Sequence, residues 1–343
     1  MRDDETTLRS IPARALAAAA CALACALACA TPARAAPIQL MVGGIEKQIY
    51  LPAALADRLG YFKEQGLDVQ VLSDTSGGHA EDGLLTGSVQ GVVGFYDHTI
   101  DLQAKGKFVQ AVVQFSQAPG EAVVVATRNA DAIKSPADFR GHALGVTGLG
   151  SSTHLLMQYL VAEHGLKKGE VTISGVGSGD GFSAALRDGR IDVGMTTEPT
   201  LSRLLKSGDA RLIVDLRTPT QAAAELGGLY PAACLYMSAP WISTHRDEVQ
   251  RLVNALVKAL RYIASHNAQD IAAQLPPDYM AGDRALYVST LQQSKAMFTA
   301  DGVMPASGPA NVLRVMRLAE RAVVGKPIDL SRTFTTEFAL AAR

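Results

Sequence analysis

Cysteine and tryptophan are scarce in this chain, and neither sign of charge is in excess. There are four cysteines and one tryptophan in 343 residues, and 32 Lys and Arg face 33 Asp and Glu. With no basic surplus, the composition is not that of a nucleic-acid-binding protein. Three of the cysteines, Cys21, Cys25 and Cys29, share one apolar stretch near the N-terminus, which leaves Cys234 alone elsewhere. No disulfide framework can form outside that stretch, so the fold has to hold by its core. Cys234 sits in the apolar run 232–236 and reads as a buried, inert thiol rather than a nucleophile. The seven histidines show no metal-ligand spacing, and no metal or cofactor is expected.

The N-terminal stretch has a different meaning. Arg9 and Arg14 precede the apolar residues 15–30, and Ala33-Arg34-Ala35 follows as an A-x-A site. That order is a secretory signal peptide over residues 1–35, cut before Ala36. The apolar run is short for a membrane span of about 20 residues. Ala26 and Ala22, not Leu, stand three residues before Cys29 and Cys25, which disfavours a lipid anchor. The expected mature chain has 308 residues, with 28 basic against 30 acidic side chains. It is long enough for one large or two medium domains. An exported chain has no access to ATP or reduced nicotinamide pools.

That setting bears on a glycine-rich turn, Gly145-Val146-Thr147-Gly148-Leu149-Gly150-Ser151-Ser152-Thr153. A short apolar run (143–146) leads into it and a helical pattern leads out. The free N–H groups and dipole of such a helix start favour an anion. A nucleotide loop is excluded: Ser151 stands where a Walker A lysine belongs, and the third glycine of a dinucleotide fingerprint is missing.

Hydrophobic periodicity gives the rest. Strand and helix patterns alternate through residues 38–115, with Pro52 in the first turn of a helix that Gly60 stops. Residues 122–126 form a connecting strand. A second alternating series fills 135–215, and 232–238 carries the chain back. Val249, Leu252, Val253, Leu256, Val257 and Leu260 keep the helical period, with Thr244 as the expected N-cap, and two more helices follow at 286–298 and 312–324. The expected fold is α/β: a two-lobed clamshell, each lobe a mainly parallel sheet flanked by helices, with C-terminal helices bracing one lobe. Residues 36–121 and 236–343 form lobe 1, and 122–235 form lobe 2.

Four blocks resemble the exported solute-binding components of ABC transporters of the nitrate/sulfonate/taurine class. They are Gln48-Ile49-Tyr50-Leu51-Pro52-Ala53-Ala54, Gly60-Tyr61-Phe62-Lys63-Glu64-Gln65-Gly66-Leu67-Asp68-Val69, Ser135-Pro136-Ala137-Asp138-Phe139-Arg140-Gly141 through Thr153, and Ala184-Ala185-Leu186-Arg187-Asp188-Gly189-Arg190-Ile191-Asp192-Val193 with Glu198-Pro199. The resemblance implies a type II periplasmic-binding-protein fold. It implies hinge closure around one small, anionic organic solute, delivery to ABC permease membrane subunits, a monomeric periplasmic protein, and no catalysis. The pyrimidine-precursor synthases related to this class carry a Cys-rich motif that is absent here.

Candidate ligand-binding residues fall where loops follow strands. They are Gly44, Lys47 and Gln48 after the first strand, Gly77 and Gly78 after the second, and His98 and Thr99 after the third. Gly150, Ser151, Ser152 and Thr153 lie in the glycine-rich turn. Gly177 and Ser178 lie in a second glycine-rich turn, Glu198 opens a helix, and Tyr230 lies near the return crossing. Glu198, if it faces the cleft, favours a donor or cationic ligand group. Each has a plainer alternative: Ser151 or Ser152 as a helix cap, Asp97 as a cap beside His98, Tyr230 and Tyr236 as hinge packing, Trp241 as packing. The competing functional readings are an exported hydrolase using His98 or Ser151, and a sensor that presents its solute to a signalling partner. No G-x-S-x-G elbow supports the hydrolase.

Overall fold

β1 (Ile38–Val42) opens the computed structural model, which describes residues 36–167 and 169–342; the expected signal segment and its cysteines lie outside the described residues. After β1 come α1 (Leu51–Arg58), α2 (Tyr61–Glu64), β2 (Val69–Ser73), α3 (Gly77–Leu85), β3 (Gly91–Phe95), α4 (Asp97–Ala104) and β4 (Val109–Gln114). β5 (Glu121–Ala126) begins a second series: β6 (Ala143–Val146), α5 (Ser152–Glu163), β7 (Thr172–Gly175), α6 (Gly179–Arg187), β8 (Val193–Thr197), α7 (Thr200–Ser207), β9 (Ala210–Leu216) and α8 (Pro219–Leu226). β10 (Ala233–Ser238) precedes the C-terminal helices α9 (Ala239–Thr244), α10 (Arg246–Ser265), α11 (Ala268–Ala272), α12 (Arg284–Ser294), α13 (Gly308–Ala319) and α14 (Glu337–Leu340).

The strands make two five-stranded sheets, ordered β2-β1-β3-β10-β4 and β7-β6-β8-β5-β9. Each is parallel except for one strand, in the same place. β10 runs antiparallel to β3 and β4, and β5 antiparallel to β8 and β9. These are the two strands on which the chain passes between lobes. β3 (GVVGF) and β5 (EAVVVA) are buried along their whole length. That is why they read as continuous apolar runs, the pattern of inner strands covered on both faces.

Helix ends follow local chemistry. Pro52 sits in the first turn of α1, where its missing N–H costs nothing. Ser135 and Asp138 form a capping box, with both the Lys134 and Ser135 N–H groups donating to the Asp138 carboxylate at 3.0 Å. All six apolar positions read for α10 are buried, and α10 packs on α1, α2 and α14. α13 lies between α4 of the first lobe and α5 of the second.

Two local expectations need correction. Thr244 does not cap α10; it ends α9, and its hydroxyl donates back to the Pro240 and Trp241 carbonyls at 3.1 and 3.2 Å. α8 had no counterpart in the sequence reading. Its start is set by the Thr218 hydroxyl, which accepts from the Gln221 N–H at 3.3 Å, and by Pro219 in the first turn. Cys234 is buried in β10, and burial pushes its thiol well up, as an inert cysteine requires. Among the described residues no helix is long and apolar enough to cross a membrane.

Candidate functional site

The parallel strands of both sheets end on one small enclosed void. Lys47 follows β1, Gly77 follows β2, and His98 follows β3. Thr147 follows β6, Ser151 to Thr153 start α5, and Thr197 ends β8. β5 runs the other way, so its first residue, Glu121, pairs with Thr197 and reaches the same place. Ile49 and Tyr50 complete the wall. The free space inside is about 10 Å³, room for about one water, so a larger solute enters only when the walls part.

The first-lobe wall is charged and held by long-range contacts. Lys47 is buried, and its ammonium donates to the Gly43 carbonyl at 2.5 Å. Gly44 makes room for that side chain: at φ 107° it has no Cβ, and an added one would meet Lys47 Cε at 2.6 Å. Asp97 is fully buried; its Oδ2 accepts from the Tyr230 hydroxyl at 3.0 Å. His98 Nδ1 bonds the Tyr236 hydroxyl at 3.1 Å. The two tyrosines thus position two site groups from the return crossing.

The second-lobe wall is made of hydroxyls. Thr147 N–H donates to Thr153 Oγ1 at 3.0 Å, and the Thr147, Ser151 and Thr153 hydroxyls bond one another at 2.7–3.2 Å. Ser151 also donates to the Gly148 carbonyl at 2.6 Å, so it does not cap α5 through its side chain.

What stands out is the set of polar atoms left over. Buried polar groups are almost always paired. Nine buried side-chain atoms among the described residues have no hydrogen-bond partner, and four of them line this void: His98 Nε2, Glu121 Oε2, Ser152 Oγ and Thr197 Oγ1. A fifth, Asp97 Oδ1, is 3.8 Å from His98 Nε2. Burial sets the charges. It pushes Asp97 up to about 6, against the Tyr230 hydroxyl that holds it down. Burial raises Glu121 well above the usual range, and the neighbouring Asp97 charge adds to that. It holds His98 down to about 4, leaving a neutral imidazole at pH 7, and it lowers Lys47.

Of the candidate residues, the structure brings Lys47, Gly77, His98, Ser151, Ser152 and Thr153 to the void. Tyr230 stands behind it, on Asp97. Gly78 sits where the lobes meet: a Cβ there would lie 2.7 Å from the Leu149 carbonyl of the facing turn. Ser178 bridges the lobes through Glu46 Oε1 at 3.1 Å, while Gly177 donates to the Thr147 carbonyl at 3.2 Å. Gly150 donates to His154 Nδ1 at 3.0 Å, and the Thr99 hydroxyl donates to the Tyr96 carbonyl at 2.8 Å. Gln48 points into α12, bonding the Tyr287 carbonyl, Thr290 and Ser294. Its N–H donates to the Glu198 carbonyl at 3.2 Å. The Glu198 carboxylate is fully occupied by Ser202 N–H (3.1 Å), Ser202 Oγ (2.8 Å) and Arg217 (3.0 Å), so it secures the start of α7.

Glu121, Thr147, Thr197, Ile49 and Tyr50 reach the void without having been singled out. Glu121 left one signal: an acidic residue heading an otherwise apolar strand. A carboxylate at the end of a doubly covered strand has either a partner or a function.

A family model described as NMT1/THI5 like matches residues 49–269. No curated protein matches the sequence. Among solved structures, a protein of Bordetella bronchiseptica RB50 is 36% identical, with 89% of this chain and 96% of that chain covered and a TM-score of 0.85. The alkanesulfonate-binding protein SsuA from Xanthomonas axonopodis pv. citri, solved with MOPS bound, is 19% identical (88% and 99% covered, TM-score 0.67). The periplasmic nitrate-binding protein NrtA from Synechocystis PCC 6803 is 12% identical (89% and 87% covered, TM-score 0.71). The last two share the periplasmic-binding-protein fold.

Proposed function

We propose that this chain, which belongs to the NMT1/THI5-like family, is an exported solute-binding receptor that captures a small anionic organic solute and delivers it to the permease subunits of an ABC importer. The observation that carries this reading is the enclosed void walled by polar side chains from both sheets. In this reading residues 36–121 with 236–343 move as one body and 122–235 as the other, after removal of residues 1–35. A monomer suffices, because both walls come from one chain. The protein works in the periplasm and releases its solute unchanged.

The mechanism is a shift of population. A solute held only by one lobe leaves the open–closed equilibrium where it was; one that touches both favours closure by its extra contacts. The anionic end belongs at the start of α5. There the helix dipole and first-turn N–H groups favour negative charge, with the Ser152 hydroxyl beside them and Lys47 across the void. Ser178–Glu46 and Gly78 against Leu149 are contacts that closure makes and opening breaks. The alkanesulfonate and nitrate named for two structural neighbours support an anionic solute.

Thermal unfolding of residues 36–343 with sulfonates, carboxylates and nitrate tests the reading. A ligand at about 100 times its Kd adds roughly 2.7 kcal/mol, which for a chain of this size is a rise of about 5 °C. No rise with any member of the panel would contradict it.

A further inference from the structure

Two acids, Asp97 and Glu121, meet at this void, and Lys47 is the one cation lining it. The Lys47 ammonium donates to the Gly43 carbonyl at 2.5 Å, and neutral His98 adds no charge. The two acids differ in what holds them. Asp97 has a donor, since its Oδ2 accepts from the Tyr230 hydroxyl at 3.0 Å. Glu121 has none: it is 2% exposed, lines the void, and its Oε2 has no partner. The Ser152 hydroxyl lies beside both acids and completes a bond with neither. The phenols of Tyr50 and Tyr230 also face Glu121, and burial keeps both neutral. Charge therefore belongs on Asp97, where a phenol holds it, and the proton on Glu121, where no donor does. With both acids ionised the walls would be net negative. An arriving anion would then meet repulsion in a low-dielectric enclosure, where like charges cost most.

We propose that Glu121 meets the solute as a carboxylic acid, its Oε2–H donating a hydrogen bond to the anion, so that the anion is captured together with a proton on Glu121. This rests on the receptor reading and deepens it. A protonated carboxyl is a donor, and an anionic oxygen is the acceptor it lacks in the free protein. Thr197 pairs with Glu121 across β5 and β8 and brings a second unpartnered hydroxyl to the same place. Glu121, Thr197 and Ser152 then make a row of neutral donors beside the start of α5, with Lys47 balancing Asp97. The proton stays on Oε2 throughout, and no covalent bond forms. Where Glu121 of the free protein is already ionised, the proton comes from solvent as the anion binds. Capture is therefore linked to pH through Glu121.

Infrared difference spectra of residues 36–343 at neutral pH test the protonation without a ligand: the wild type should show a protonated-carboxyl band that Glu121→Gln lacks. Calorimetric titration with methanesulfonate and nitrate tests the donor, because neither probe changes its charge near neutral pH. Glu121→Met removes the donor and should weaken binding about 10- to 100-fold, the worth of one hydrogen bond to a charged group. Glu121→Gln keeps a donor and should recover most of that loss. Neither substitution buries a charge, so both should fold like the parent. As Glu121 ionises, wild-type affinity should fall by about tenfold per pH unit, beyond any loss from Lys47, and Glu121→Gln should retain only the Lys47 part. A carboxylate band in place of the carboxyl one, tighter binding by Glu121→Gln (the sign of a repelling charge removed), or undiminished binding by Glu121→Met overturns the proposal and leaves the receptor standing. No binding of either probe or of any other anion in the panel overturns the receptor reading and this proposal with it.

Discussion

The two lobes share a strand order and differ in what they bring to the void between their strand ends. Each sheet runs three parallel strands, a crossing strand and a last strand. The first lobe lines the void with Lys47 and His98, backed by Asp97, Tyr230 and Tyr236. The second brings Thr147, Ser151, Ser152, Thr153 and Thr197, neutral hydroxyls around a helix start, and Glu121, at the crossing into β5, adds a carboxyl group. The same scaffold thus yields one wall of titratable groups and one of neutral donors. Glu121 is the exception because it sits on β5, the strand that reaches the second sheet from the first. Fold repetition explains where the walls are; the crossing strand explains why one of them carries a carboxyl group.

The largest expected effect separates scaffold from site. Glu198→Ala removes a buried carboxylate that holds Arg217 and the start of α7. Arg217 keeps Asp215 as its partner, so the loss is that of the bonds to Glu198, about 3 kcal/mol. Chemical unfolding should show that loss, with ligand preference unchanged; a selective loss of binding at normal stability would place Glu198 in the site after all.

Next is closure. Gly78→Val places atoms against the Leu149 carbonyl only when the lobes meet. Affinity should fall about 100-fold, while the free protein's stability changes by less than about 1 kcal/mol. Unchanged affinity would mean that the two turns need not touch.

The titratable wall predicts a pH dependence. Burial pushes Glu81, 3.7 Å from His98, up to about 8; the charge of Asp101 adds to this and that of Lys105 opposes it. An acid whose pKa is raised on folding holds more protons in the folded state, so stability falls as pH rises between the unfolded value, 4.5, and about 8. His98, lowered from 6.5 to about 4, works the other way, losing stability as pH falls through that window. Above 6.5 the slope from His98 has ended; the raised Glu81 and Glu121 carboxyls lower stability as pH rises, and the lowered Lys47 ammonium opposes them. Melting temperature should therefore decline from pH 6.5 toward 8, and Glu81→Gln should flatten the decline.

The hydroxyl wall gives a smaller effect. Ser152 Oγ has no partner, so Ser152→Ala should leave the free protein as stable as before and weaken binding by about 1 kcal/mol, near fivefold. A destabilised free protein would make it a structural cap. Removing the exposed Arg246–Glu337 pair should alter neither stability nor binding measurably.

Local patterns carried most of the fold. The strand at Ala143–Val146, the Pro52 start of α1 and the apolar stripe of α10 are legible because each depends on neighbours a few residues away. α8 is marked in the sequence only at its start, by the small cap at Thr218 and by Pro219. The site was half legible. Strand-end loops located Lys47, His98 and Ser151 to Thr153. Gln48 and Glu198 sit on such loops too, yet their side chains are engaged by α12 and by Ser202 and Arg217, partners that only the tertiary fold supplies. Glu121 escapes for the opposite reason: its strand runs against its neighbours, so its first residue, not its last, reaches the void.

The central claim is that the two unlike walls come together on a solute. The distance between them tests it most directly, read by pulsed electron–electron resonance from spin labels at Leu85→Cys on α3 and Arg187→Cys on α6, with the buried Cys234 left in place. A broad or longer distance in the free protein should narrow and shorten to that of the closed form when a stabilising solute is added. A solute that binds by calorimetry and leaves the distance distribution unchanged would contradict the account.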